Sequence, residues 1–231
     1  MYILSLETST KNFSLAVSHD EKLLRFRNVR TDRILESSML SSIDKLLSSC
    51  DLTFDQVDAL AVGLGPGSFT SLRVGLSTVK AFGLATDKKI VGICSLDVLA
   101  SAVSKQKVDE ICVVVDARRG NVYAAIYNMD LSLKTEYLLT KIEDVLTRVK
   151  GKTLFVGDGA TLYQKQIEEA YKAQGKISSC RAVFADEKFS YPQARELAKL
   201  ALKRLEQKKY DDPATIVPIY LYPQDCQVDR R

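Results

Sequence analysis

The chain has 231 residues and a net charge of +4, enough length for one large domain or two small ones, and a mild positive balance that neither demands nor excludes nucleic acid. Hydrophobic residues make up 46% and charged residues 27%, as in an ordinary soluble globular protein, and no apolar run approaches the roughly 20 residues of a membrane span. The N-terminus, Met-Tyr-Ile-Leu-Ser-Leu-Glu, lacks a basic leader and cleavage site, and the cysteines (Cys50, Cys94, Cys112, Cys180, Cys226) are odd in number with no Cys-x-x-Cys. They read as reduced, mostly buried thiols of a cytoplasmic protein.

Residues 2–7 and 12–18 read as strands joined by Thr8-Ser9-Thr10-Lys11, and 22–29 as a third after a turn at His19-Asp20-Glu21. From Thr31 to Ser49, Leu35, Met39, Leu40, Ile43, Leu46 and Leu47 fall within one helical arc, which predicts an amphipathic helix. An apolar segment ending in Val62 reads as a buried strand, punctuated by Gly63, Gly65, Pro66 and Gly67. Ser68 or Thr70 can cap the helix that follows to about Ala85.

That glycine-rich turn has two readings: a phosphate cradle of backbone N–H groups, or a close-packed corner between strand and helix. It has no Gly-Lys-Ser/Thr, and Ser68 stands where a dinucleotide fingerprint would have its third glycine. The helix is apolar on two sides. Phe69, Leu72, Leu76, Val79 and Gly83 make one side; Val74, Thr78, Ala81, Phe82 and Ala85 make roughly the other, and Arg73, Ser77 and Lys80 form a narrow polar wedge. One side meets its own sheet. The other meets a further helix or another protein.

A strand at Lys89–Ile93 and a helix near Ser95–Ser104 complete the first half. The pattern then restarts: Glu7…Asn12-Phe-Ser-Leu-Ala-Val17 matches Asp116…Asn121-Val-Tyr-Ala-Ala-Ile126 at a constant offset, and Leu154-Phe-Val-Gly-Asp-Gly-Ala160 echoes Leu60-Ala-Val-Gly-Leu-Gly-Pro66. This predicts an α/β fold of two duplicated mixed-sheet lobes with crossover helices, 1–104 and 105–231. Helices are expected at Thr161–Gln174 and Tyr191–Lys208, the last able to pack back on the N-terminal lobe, and the proline-rich tail from Asp211 should run extended. Lys203, Arg204, Lys208 and Lys209 cluster at one helix end, either a solvated face or an anion-binding one.

Gly65-Pro-Gly-Ser-Phe-Thr-Ser-Leu-Arg-Val-Gly75 closely resembles the signature of the bacterial TsaB (YeaZ) family, with Ser71 where that family usually has Gly. Asp116-Ala-Arg-Arg-Gly-Asn-Val-Tyr-Ala-Ala-Ile-Tyr127 and Val156-Gly-Asp-Gly159 extend the resemblance over most of the chain. It implies the actin/Hsp70/sugar-kinase-like (ASKHA) fold. It also implies a non-catalytic partner of TsaD, and of the ATPase TsaE through that pair, in placing threonylcarbamoyl on N6 of A37 in tRNAs reading ANN codons. The implied interface, which meets TsaD or a second copy in a homodimer, uses the helices at about 31–49 and 69–85; Leu35, Met39, Ile43, Phe69, Leu72, Arg73, Val74 and Leu76 are its candidate residues.

In nucleotide-binding relatives of that superfamily the two hairpin turns grip phosphate and metal. Here they are Glu7-Thr8-Ser9-Thr10 and Asp116-Ala117-Arg118-Arg119-Gly120, so Glu7, Thr8, Ser9, Thr10, Asp116 and Arg118 are candidates for a vestigial nucleotide site. The alternative function is therefore an ATP-binding kinase or ATPase. Glu7 is longer than the usual Asp, and two arginines occupy the second turn. The single histidine, His19, leaves no His pair for a metal and no His-based nucleophile arrangement. No catalytic residue, metal ligand or cofactor is expected.

Overall fold

The computed structural model describes residues 1–10, 12–30, 35–104, 106–173 and 181–222, without the side chains of Asn12, Arg30 and residues 35–37. The chain divides into two compact units, Met1–Val103 with Tyr191–Pro218, and Ser104–Ser190 with Ile219–Arg231.

The first unit is built on a five-stranded sheet of order β3-β2-β1-β4-β5. Strands β1 (Tyr2–Glu7), β2 (Asn12–His19) and β3 (Lys22–Arg30) are antiparallel neighbours. Strands β4 (Ala59–Gly63) and β5 (Lys89–Ile93) extend the sheet in parallel from β1, reached through α1 (Leu35–Ser48) and α2 (Phe69–Thr86). Alternation along the strands gives the sheet two apolar faces. Leu4, Leu6, Leu60, Val62 and Ile90 meet Met39, Ile43 and Leu46 of α1 and Leu76 and Val79 of α2. Ile3, Ala59, Ala61, Val91 and Ile93 meet Val98 of α3 (Ser95–Val103) and Leu197, Ala201, Leu202 and Leu205 of α7 (Ala194–Glu206). Helix α7 and residues through Pro218 thus belong to the first unit although they follow the second in sequence.

The second unit repeats the plan with sheet order β10-β9-β6-β7-β8. Strands β6 (Glu110–Arg118), β7 (Asn121–Tyr127) and β8 (Leu138–Thr140) are antiparallel; β9 (Thr153–Val156) and β10 (Ala182–Phe184) add in parallel. The expected helix at 161–174 is two, α5 (Asp158–Leu162) and α6 (Gln164–Ala173), and a short α4 (Ile142–Leu146) precedes β9. The tail from Asp211 departs from an extended course: the Thr215 and Ile216 N–H groups both bond to the Asp212 carbonyl, closing a turn. Among the described residues no helix is long and apolar enough to cross a membrane.

Candidate functional site: the α1–α2 face and the strand turns

The glycine-rich loop closes over the first hairpin turn. A Cβ on Gly63 would lie 2.1 Å from Glu7 Oε2, one on Gly67 2.1 Å from the Ser9 carbonyl oxygen, and one on Gly75 2.3 Å from Thr8 Oγ1. The glycines are therefore a matter of space: loop and helix approach the turn to a distance that no side chain permits. The Ser68 N–H bonds the Ser9 carbonyl at 2.7 Å, and the Ser95 hydroxyl at the start of α3 donates to Glu7 Oε2 at 3.0 Å. The Ser95 N–H bonds the Gly65 carbonyl at 2.7 Å, so the loop is held from both sides. Gly65 has a φ of +86°, and its peptide bond to Pro66 is cis.

Glu7, Thr8 and Ser9 are consequently buried. Burial pushes the Glu7 carboxyl above its usual range, opposed in part by hydrogen bonds from Ser9 and Ser95. Of the two readings of the loop, the geometry matches the close-packed corner. The three side chains are covered by their own fold.

Helix α2 resolves into an inner and an outer side. Leu72, Leu76, Val79, Gly75 and Gly83 are buried. Arg73, Ser77 and Ala81 are exposed, Val74, Thr78 and Phe82 half-buried, and Phe69, grouped by periodicity with Leu72, Leu76 and Val79, is 52% exposed. At the first turn of the helix the loop delivers Phe69 outward, where the Arg73 guanidinium lies 3.8 Å from its ring centroid. Between α1 and α2 runs an open groove of about 640 Å³, with Met39 and Leu40 on one wall and Phe69, Arg73, Val74 and Phe82 among the residues of the other. Leu40 is 60% exposed at its rim. Ser68 is the N-cap of α2, but its hydroxyl meets that of Ser71 at 3.0 Å and caps no backbone N–H.

The candidate interface residues divide accordingly. Phe69, Arg73 and Val74 line the groove, and Met39, 1% exposed, reaches it from beneath. Ile43, Leu72 and Leu76 are core side chains and are not among the residues that line the groove, a correction imposed by their burial. Leu35 lies in α1 with its side chain outside the described residues. Leu40 and Phe82 also line the groove; periodicity placed both on apolar helix faces but did not single them out as interface candidates.

The second turn is open and charged. Arg118, Arg119 and Gly120 all have positive φ, and the Arg118 N–H bonds Asp116 Oδ1 at 2.9 Å while its guanidinium stands 3.8 Å from Oδ2. The Asp116 N–H bonds Asp158 Oδ1 at 3.0 Å. Burial raises the Asp158 carboxyl above its usual range, and the Asp116 carboxylate adds to the rise. Asp158 stood in the recognised Val156-Gly-Asp-Gly159 segment without a role. Glu7 and Asp116 lie in separate units, and Thr10 stays at the half-exposed end of the first turn. His19 ends β2 at the surface, its ring 4.5 Å from that of Tyr2.

Two five-stranded sheets of one topology, each with three antiparallel strands and two parallel ones reached through helices, define the duplicated actin/Hsp70/sugar-kinase-like class. Within that class the family described as TsaD, tRNA N6-adenosine threonylcarbamoyltransferase, matches residues 31–228. The chain is 30% identical to the tRNA threonylcarbamoyladenosine biosynthesis protein TsaB of Buchnera aphidicola, over 84% of this chain and 90% of that one. It is 26% identical to the Bacillus subtilis TsaB, over 96% and 94%. The solved structure of YeaZ from Pseudomonas aeruginosa has the same fold, with a TM-score of 0.78 at 23% identity over 95% of this chain and 99% of that one. The chain belongs to the TsaB (YeaZ) family.

Proposed function

We propose that this chain is the non-catalytic partner of TsaD in tRNA threonylcarbamoyladenosine biosynthesis, docking TsaD on the α1–α2 face and reaching TsaE through that pair. The supporting observation is the groove: a helix with its inner side fully committed to the sheet leaves Phe69, Val74 and Phe82 facing outward beside Leu40. In isolation the same face pairs two copies of the chain. In the complex its task is to hold TsaD in the conformation that transfers threonylcarbamoyl to N6 of A37.

The ATP-binding alternative has less support. Its first phosphate turn is filled by the signature loop, with Glu7 and Thr8 fully buried and Ser9 nearly so. The test compares two single charges. Val74→Glu should fold with a near-normal thermal midpoint and lose TsaD binding. Leu76→Glu, which buries an unpaired carboxylate in the core, should unfold the first unit. A Val74→Glu variant that binds TsaD as tightly as wild type would remove the groove from the reading. ATP turnover by the chain alone, abolished by Asp116→Ala, would favour the enzyme.

A further inference from the structure

The end of α7 carries positive charge that its own fold does not use. Arg204 is committed: its guanidinium donates to the Gly92 carbonyl and pairs with Asp211 at 3.3 Å. Lys208, at φ +56°, follows the end of the helix, and the Lys209 N–H bonds back to the Arg204 carbonyl at 2.8 Å. The chain is then fixed beside β5, where the Asp211 N–H bonds the Ile90 carbonyl and its carboxylate accepts the Gly92 N–H. These anchors hold Lys203 in the last turn of α7, Lys208 and Lys209 just after it, and Tyr210 next to the residue that joins the edge strand β5.

Lys203, Lys208 and Lys209 are exposed, and among the described residues none of their ammonium groups is in an ion pair. Between them and β5 lies Tyr210, 51% exposed, with the Lys89 ammonium 4.5 Å from its ring centroid. Two exposed carboxylates sit in the same stretch, Glu206 and Asp212, and Asp212 is partly engaged by the Ala214 N–H. The lysines outnumber them.

We infer that this Lys203–Lys208–Lys209–Tyr210 edge, with Lys89, is a contact surface for the phosphate backbone of a structured RNA. The inference rests on the reading of the chain as part of a tRNA-modifying assembly and adds to it a place where tRNA touches this subunit. Flexible ammonium groups displace counterions from phosphate without demanding a sequence, and a half-exposed tyrosine among them offers a face on which an unpaired base can stack. An acidic membrane surface would use the lysines but offers the tyrosine ring no base to stack on. The surface is separate from the proposed TsaD groove: α7 covers the sheet face opposite to that covered by α1 and α2, so both can be occupied together.

The test titrates the full chain with an unmodified tRNA transcript at 50 and 200 mM salt, beside vesicles of anionic phospholipid. Wild type should bind the transcript at the lower salt and weaken steeply at the higher. Lys203→Gln/Lys208→Gln/Lys209→Gln should bind at least about 10-fold more weakly and lower the slope of log affinity against log salt by about 2, at roughly 0.7 per lost lysine contact. Tyr210→Ala should weaken binding with the slope unchanged. Both variants should keep TsaD binding, and Val74→Glu should keep tRNA binding, so failure of the groove reading and failure of this one are told apart. The inference is overturned if wild type does not bind the transcript, if the triple variant titrates like wild type, or if wild type binds the vesicles and not the RNA.

Discussion

Glu7 joins the sequence's most recognisable feature to its least exposed one. Its carboxyl is fully buried beneath the signature loop, and burial raises its pKa from the usual 4.5. The unfolded chain ionises this group near pH 4.5 while the folded chain resists doing so. Its contribution is therefore most favourable below pH 4.5 and is lost as pH rises toward the folded value, at about 1.4 kcal/mol per pH unit across that window. Glu7→Gln removes the titration and should flatten this decline, seen as a smaller fall in thermal midpoint between pH 4 and pH 8 than wild type shows. A variant with the wild-type pH profile would mean that Glu7 ionises freely in the folded state. Gly67→Ala addresses the same corner from the loop side. Its Cβ would meet the Ser9 carbonyl at 2.1 Å, a backbone atom that cannot rotate away, so about 2 kcal/mol of stability should be lost in a denaturant titration. The signature was legible as a turn because glycine and proline announce one, but its purpose was not. Which atoms a missing Cβ makes room for depends on Glu7, Thr8 and Ser9, far away along the chain.

At the scale of the elements, the long amphipathic pieces were the readable ones. The two-sided character of α2 followed from its period, but which side faces outward did not, and Phe69 parts from the Leu72, Leu76 and Val79 with which the period groups it because the first turn hangs off a loop. Strands β8 and β10 and helix α4 escaped notice for a different reason. At three, three and five residues they are too short to show a period, and they exist because neighbours supply their pairing. The stretch before β8 illustrates this. Lys134 is held by Glu110 of β6, a buried carboxylate that also accepts the Lys150 N–H and the Thr153 hydroxyl. Lys134→Met leaves that charge without its cation and should cost about 3 kcal/mol in the second unit. Adding Glu110→Gln should restore much of the loss; a single variant as stable as wild type would show the pair to be ornamental.

Across the whole molecule, the internal repeat was visible from Glu7/Asp116 and Asn12/Asn121, and the sheets confirm it strand for strand. The ownership of α7 was not written in any local pattern. An amphipathic helix declares that it has an apolar side, not which sheet will receive it. Its Leu197, Leu202 and Leu205 together contribute roughly 5–9 kcal/mol of apolar burial to the first unit, comparable with the whole stability of a typical domain. A chain ending at Ser190 should accordingly lose amide protection in β1, β4 and β5 and aggregate, while β6, β7 and β9 retain protection in hydrogen exchange. Equal protection in truncated and complete chains would contradict this. The same return of the chain sets a schedule for its birth on the ribosome. Once Val103 has emerged, all of Ser104–Ser190 must be made before α7 can cover Ile3, Ala59, Ala61, Val91 and Ile93. At cellular elongation rates that interval is on the order of ten seconds. Throughout it the nascent protein displays an aliphatic sheet face that has α3 but lacks the cover of α7, a natural client for a ribosome-associated chaperone.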